Sequence, residues 1–192
     1  MLLLIAGLVI FLGAHSVRIF AEPWRTRQRE RIGELRWKGI VGLVSAAGFV
    51  LLVWGYGIAR ATAVQIWVPP VWTRHPAALL VLIAFILLVA AYLPGTRIKA
   101  AVGHPMVLAV KVWALAHLLA NGTLNDIVLF GSFLVWAVLA YTAARRRDRA
   151  AGVTYPALGV NRDLAAVVLG AIAWALFARF AHLWLIGVSP FA

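Results

Sequence analysis

The stretch GHPMVLAVKVWALAHLLANG, Gly103 to Gly122, is apolar enough to cross a bilayer yet carries His104, Lys111 and His117. A charged side chain at the centre of a membrane helix costs about 3 kcal/mol even on the milder insertion scales, so each such group needs compensation. Helical spacing sorts them: His104 and Lys111, seven apart, share one side, while Trp113, His117 and Asn121, spaced by four, share another. In the first apolar stretch His15, Arg18 and Glu22 fall three and four apart along one side. Arg18 and Glu22 suit pairing or snorkelling at a helix end; His15 is deeper and needs a partner. Two histidines on different helices, in a chain with no cysteine, suit axial ligation of a haem. Without a C-x-x-C-H motif the attachment could only be non-covalent. The competing reading is that these imidazoles only hydrogen-bond neighbouring helices.

The elements that must position these groups follow from composition. The chain has 192 residues, 64% of them apolar and 12% charged, with a mean hydropathy of +0.94. This is the composition of an all-α, polytopic membrane protein, read as a single transmembrane domain over residues 1–192. Six apolar segments approach the roughly 20 residues of a helical span: Leu2 to Ala21, Gly39 to Ala59, Ala77 to Leu93, His104 to Asn121, Leu124 to Ala143, and Leu164 to Ile186. The N-terminal segment lacks the basic start and cleavage pattern of a secretory signal and reads as a retained helix. Polar connections lie between the spans, among them Glu22 to Lys38, Pro94 to Gly103 and the two-residue Gly122-Thr123.

Charge fixes the orientation. The net charge of +12 is spread between apolar runs rather than gathered on a soluble face, which argues for loop topology and anionic lipid and against nucleic acid. The first, third and fifth connections hold thirteen basic residues, the opposite side only Arg60 and Arg74, so the N-terminus and the even connections face outward. In that topology IWVPPVWTRHP, Ile66 to Pro76, lies outside. Its prolines exclude a regular helix, and Trp67 and Trp72 suit an interfacial belt, with a lid as the lesser reading. His75 and His182 read as interfacial. Asp126 reads as a cap on the fifth span. No G-x-S-x-G, H-E-x-x-H or buried carboxylate pair supports a hydrolase.

Several segments resemble one family. HPMVLAVKVWALAHLLANG followed by LFGSFLVWAV, with GAHSVR, RIGELRWKGIVGLVSAAGFVLLVWGYGIAR and IWVPPVW, resembles the NnrU family of bacterial membrane proteins, named from denitrification gene clusters. That family is similar to plant 15-cis-zeta-carotene isomerase, which uses haem b. The isomerase's histidine motifs, HSV and W-C-L-A-H, fall on His15 and His117. The cysteine of the second motif corresponds to Ala114, so a ligand switch through that thiol is absent here. The HP of the fourth span also resembles membrane methyltransferases, a weaker likeness.

The resemblance implies a multi-pass protein of the bacterial inner membrane that binds haem b, with His15 and His117 as metal ligands and His104 as a substitute. Arg18, Lys111 and Arg74 are the candidates for holding propionates, and Trp113 and Asn121 for lining the cofactor. At 1.5 Å per residue His15 is about 20 Å and His117 about 6 to 9 Å below the outer surface, so one iron requires the fourth helix to shift inward or tilt. Three functions are consistent with this reading: a haem protein of nitric oxide and nitrite metabolism, an isomerase acting on a hydrophobic polyene, and an assembly protein whose histidines only join helices.

Overall fold

A computed structural model describes residues 1–190, and the fold within them is helical. In chain order the helices are α1 (Leu2–Phe20), α2 (Glu22–Ile32), α3 (Glu34–Ala61), α4 (Arg74–Tyr92), α5 (Arg97–Val102), α6 (Pro105–Ala120), α7 (Leu124–Ala150), α8 (Val160–Leu176) and α9 (His182–Ile186). Five stretches among the described residues are long and apolar enough to cross a membrane: Leu2–Phe20, Glu34–Ala61, Val71–Tyr92, Leu124–Ala150 and Val160–Ile186. The sixth, α6, has 16 residues, about 24 Å at 1.5 Å per residue, short of a hydrocarbon core of about 30 Å. Large apolar side chains such as Val9, Leu43, Val53 and Leu79 stand exposed on these helices, as lipid-facing surfaces require.

Local chemistry explains the boundaries. The connection Glu22 to Lys38, expected as polar linker, forms α2 and the first turn of α3. Gly33, at φ 87°, separates them in a conformation that L side chains rarely adopt. The connection Pro94 to Gly103 contains α5, whose cap is the Thr96 hydroxyl accepting from the Lys99 amide at 3.1 Å. Gly103, at φ 73°, then ends α5, and Pro105 opens α6 at a position where its missing N–H costs nothing. The fifth span runs on through the basic residues to Ala150. The segment Phe177–Ala181 winds as a π-helix between α8 and α9.

The described residues divide into two compact units, residues 1–67 with 122–140, and residues 68–121 with 141–190. In the first, α1 and α3 meet backbone to backbone. A methyl group at Gly48 would lie 2.7 Å from the Phe11 amide nitrogen, and one at Gly7 or Gly55 would collide with the main chain at Leu52 or Leu4. Such small-residue contacts let dispersion hold two helices together where no hydrophobic effect operates. The tight Gly122-Thr123 link is pinned to the outer connection. Ile66 N–H and Trp67 N–H both donate to the Gly122 carbonyl, and Leu124 N–H donates to that of Val64.

In the second unit, α4 packs on α6 through Ala84, Leu87 and Ala109, with Ile98, Val112 and Trp113 around them. Gly170 of α8 lets Ile86 approach so closely that a methyl group would sit 2.7 Å from its Cα.

Overpacking a site whose neighbours are backbone atoms leaves no side chain to yield. Gly48→Val and Gly55→Val are therefore expected to lower stability by about 3 kcal/mol or to prevent accumulation. Gly57→Ala, with open space around its new methyl, is expected to be neutral or to stabilise by up to ~1 kcal/mol. Thermal unfolding in mild detergent checks both.

Candidate functional site

His15 belongs to the first unit. Its Nδ1 is 2.7 Å from the carbonyl of Phe11, one turn back, which places the proton on Nδ1 and leaves the Nε2 lone pair as the ligating position. Among the described residues Nε2 has no hydrogen-bond partner. Aromatic rings orient the imidazole: Phe11 at 4.5 Å between centroids and Trp136 edge-on at 6.1 Å. Trp136 Nε1 is buried and, among the described residues, without an acceptor, an orphaned donor of the kind that a bound group accounts for. One turn further along, Arg18 Nε is 3.7 Å from Glu22.

His117 belongs to the second unit and repeats the arrangement. Its Nδ1 is 2.8 Å from the Trp113 carbonyl, and the Trp113 ring lies 5.0 Å from its own. It sits in the last turn of α6 and is half-buried. Asn121 turns back onto the helix: its Nδ2 donates to the His117 carbonyl at 2.9 Å, so its amide closes the end of α6. Lys111 is half-buried on the same helix and, among the described residues, has no hydrogen-bond or ion-pair partner. Ala114, where the isomerase motif has cysteine, is fully buried. Arg74 opens α4 and is exposed.

His104 stands in a different setting. Its Nε2 lies 2.9 Å from Asp148 Oδ2, an oxygen that also accepts from the Tyr155 hydroxyl at 3.0 Å, with Arg145 at 3.6 Å. The nitrogen best placed to ligate a metal is thus engaged by a carboxylate. His182 is likewise satisfied locally, its Nδ1 2.7 Å from the Val188 carbonyl.

A further cluster gathers around a residue that the sequence offered only as a helix cap. Asp126, in the first turn of α7, is buried. It accepts from Tyr56 Oη at 2.5 Å, from the Thr123 hydroxyl and from Asn125 Nδ2 at 3.3 Å. The helix begins at Leu124, so Asp126, expected as its cap, lies inside the first turn, and its carboxylate is taken by side chains. The bond to Tyr56, 70 residues away in sequence, adds a tie from α3 to α7 that spacing alone could not reveal.

No group of three or more His, Cys, Asp or Glu side chains able to hold a bare metal ion occurs among the described residues. An iron ligated by one or two imidazoles is adequately held only when its remaining ligands come with it, as in a porphyrin.

The NnrU protein family model matches residues 3–190. The chain belongs to the NnrU family. No curated protein and no solved structure matches it. Membership covers nearly the whole chain, and it agrees with the multi-pass helical fold.

Removing one partner of the buried cluster leaves the other unsatisfied. Tyr56→Phe is expected to cost about 1–2 kcal/mol, and Asp126→Ala about 3 kcal/mol, since it strands three donors at once. Thermal unfolding of the purified variants measures both.

Proposed function

We propose that this NnrU-family protein is a haem-b-binding protein of the bacterial inner membrane, with His15 and His117 as its histidine ligands. The observation that carries the reading is shared by the two residues. Each imidazole anchors Nδ1 on the carbonyl one helical turn back, at 2.7 and 2.8 Å, which makes Nε2 the nitrogen through which it would ligate. That hydrogen bond fixes the tautomer and would raise the basicity of Nε2, as it does for metal-bound histidines generally. Lys111, half-buried with no anionic partner among the described residues, and Arg18 are the cations suited to carboxylates brought by the cofactor.

Haem held by two histidines supplies electron transfer or redox sensing, and loss of one ligand opens a position for a diatomic gas or a double bond. A role in nitric oxide and nitrite metabolism follows from the family's name and is the function we favour. The isomerase reading rests on the agreement of AHSVR and WALAH with that enzyme's histidine motifs. Conversion of 9,15,9'-tri-cis-zeta-carotene by membranes containing the protein would establish it, and an unchanged isomer profile would remove it.

Protein purified in mild detergent is expected to show a Soret band that shifts on reduction. His15→Ala and His117→Ala should each lose or strongly alter it, while His104→Ala, whose imidazole is engaged by Asp148, should retain it. Bound pigment unchanged in both of the first two variants would mean that the ligands lie elsewhere.

A further inference from the structure

The α1–α3 pair that is locked at Gly7, Gly48 and Gly55 separates toward its other end. An ideal methyl at Gly42 meets nothing within 4 Å. There a cavity of about 410 Å³ opens between the two helices and α2. It is lined by Ala14, His15, Val17, Gly42 and Ser45 and by the cations Arg18, Arg25, Arg29 and Lys38, which form its basic mouth.

Those four cations share two carboxylates. Glu22 takes Arg18 at 3.7 Å and Arg25 at 3.1 Å, and Glu34 takes Arg29 at 3.1 Å and Lys38 at 2.8 Å. The mouth therefore holds positive charge in excess of its own counter-ions, with guanidinium groups suited to a tetrahedral oxyanion. Ser45 Oγ is buried and, among the described residues, has no hydrogen-bond partner. Trp37 lines the rim and stacks edge-on with Trp24 at 5.6 Å, a pairing suited to the headgroup level of a bilayer. By charge bias this end of the helices is the cytoplasmic one, where anionic lipid is met.

We propose that this cavity binds a phosphate-bearing anion, its phosphate at the Arg18, Arg25, Arg29 and Lys38 mouth. The apolar part of the lining and the unpartnered Ser45 hydroxyl suit a molecule longer than phosphate itself, and an anionic phospholipid meets both demands: phosphodiester outward, glycerol oxygens toward Ser45. α2 is then a clamp, a polar helix laid across the gap to bring Arg25 and Arg29 over the headgroup. The cavity also borders His15 and Arg18, so the inference shares two residues with the proposed haem site, and reading the Soret band beside lipid binding keeps the two apart.

The test uses the whole protein in mild detergent, titrated with short-chain phosphatidylglycerol, with short-chain phosphatidylcholine and with inorganic phosphate, and read by thermal unfolding and native mass spectrometry. Phosphatidylglycerol is expected to bind and raise the Tm, and phosphatidylcholine to do so weakly. Arg25→Gln and Arg29→Gln should each weaken binding about fivefold, and Gly42→Leu, which fills the gap while leaving every charge in place, should abolish it. Arg31→Gln, which does not line the cavity, serves as the control and should change nothing. Inorganic phosphate matching phosphatidylglycerol, with the same dependence on Arg25 and Arg29, would support the site with a soluble phosphate compound as its ligand. Binding of phosphatidylglycerol that is unaffected by Arg25→Gln, Arg29→Gln and Gly42→Leu would overturn the proposal. So would variants that lose a Soret band while keeping lipid binding, since the mouth would then be a propionate anchor.

Discussion

The contact on which the first unit depends is backbone against backbone. Where Gly7, Gly48 and Gly55 remove the side chain, α1 and α3 approach until main-chain atoms touch. In lipid the tails are as apolar as leucine, so helices gain little by hiding hydrophobic surface from one another. They associate through close dispersion contact and through the few polar bonds that bridge them. The glycines supply the first. The buried Asp126, receiving Tyr56 and Thr123, supplies the second, tying α7 to α3 in the same unit.

The same geometry produces the openings. Two straight helices held in contact at one end diverge at the other, and a gap between them is stable only where small residues line it and charged ones rim it. Ala14, Gly42 and Ser45 provide the lining, and the cations of α1, α2 and α3 the rim. His15 lies at the transition, its ring held by Phe11 and Trp136.

Polar groups in such a protein separate into those the fold satisfies and those it leaves available. His104, His182 and Asn121 belong to the first kind: Asp148, the Val188 carbonyl and the His117 carbonyl absorb them. Lys111, His15 Nε2, Ser45 Oγ and Trp136 Nε1 belong to the second, among the described residues. A buried donor or acceptor left unmatched costs about 1–3 kcal/mol.

The apolar runs and the distribution of Arg and Lys were enough by themselves to determine a multi-pass helical protein, because a bilayer demands about 20 apolar residues per crossing and penalises charge within them. Spacing along one helix was legible for Trp113 and His117, whereas Arg18 and Glu22 pair across the break at Ala21 between α1 and α2, and Asn121 lies just past the end of α6. Helicity outside the spans was not legible. α2 is too polar to announce itself by hydropathy, and its boundary depends on the backbone of Gly33. Nor could the sequence assign partners across distance. That His104 meets Asp148, that Asp126 meets Tyr56, and that Gly48 is crowded while Gly42 faces open space depend on which faces of different helices meet. A periodicity defines a face; only packing in three dimensions decides what that face touches.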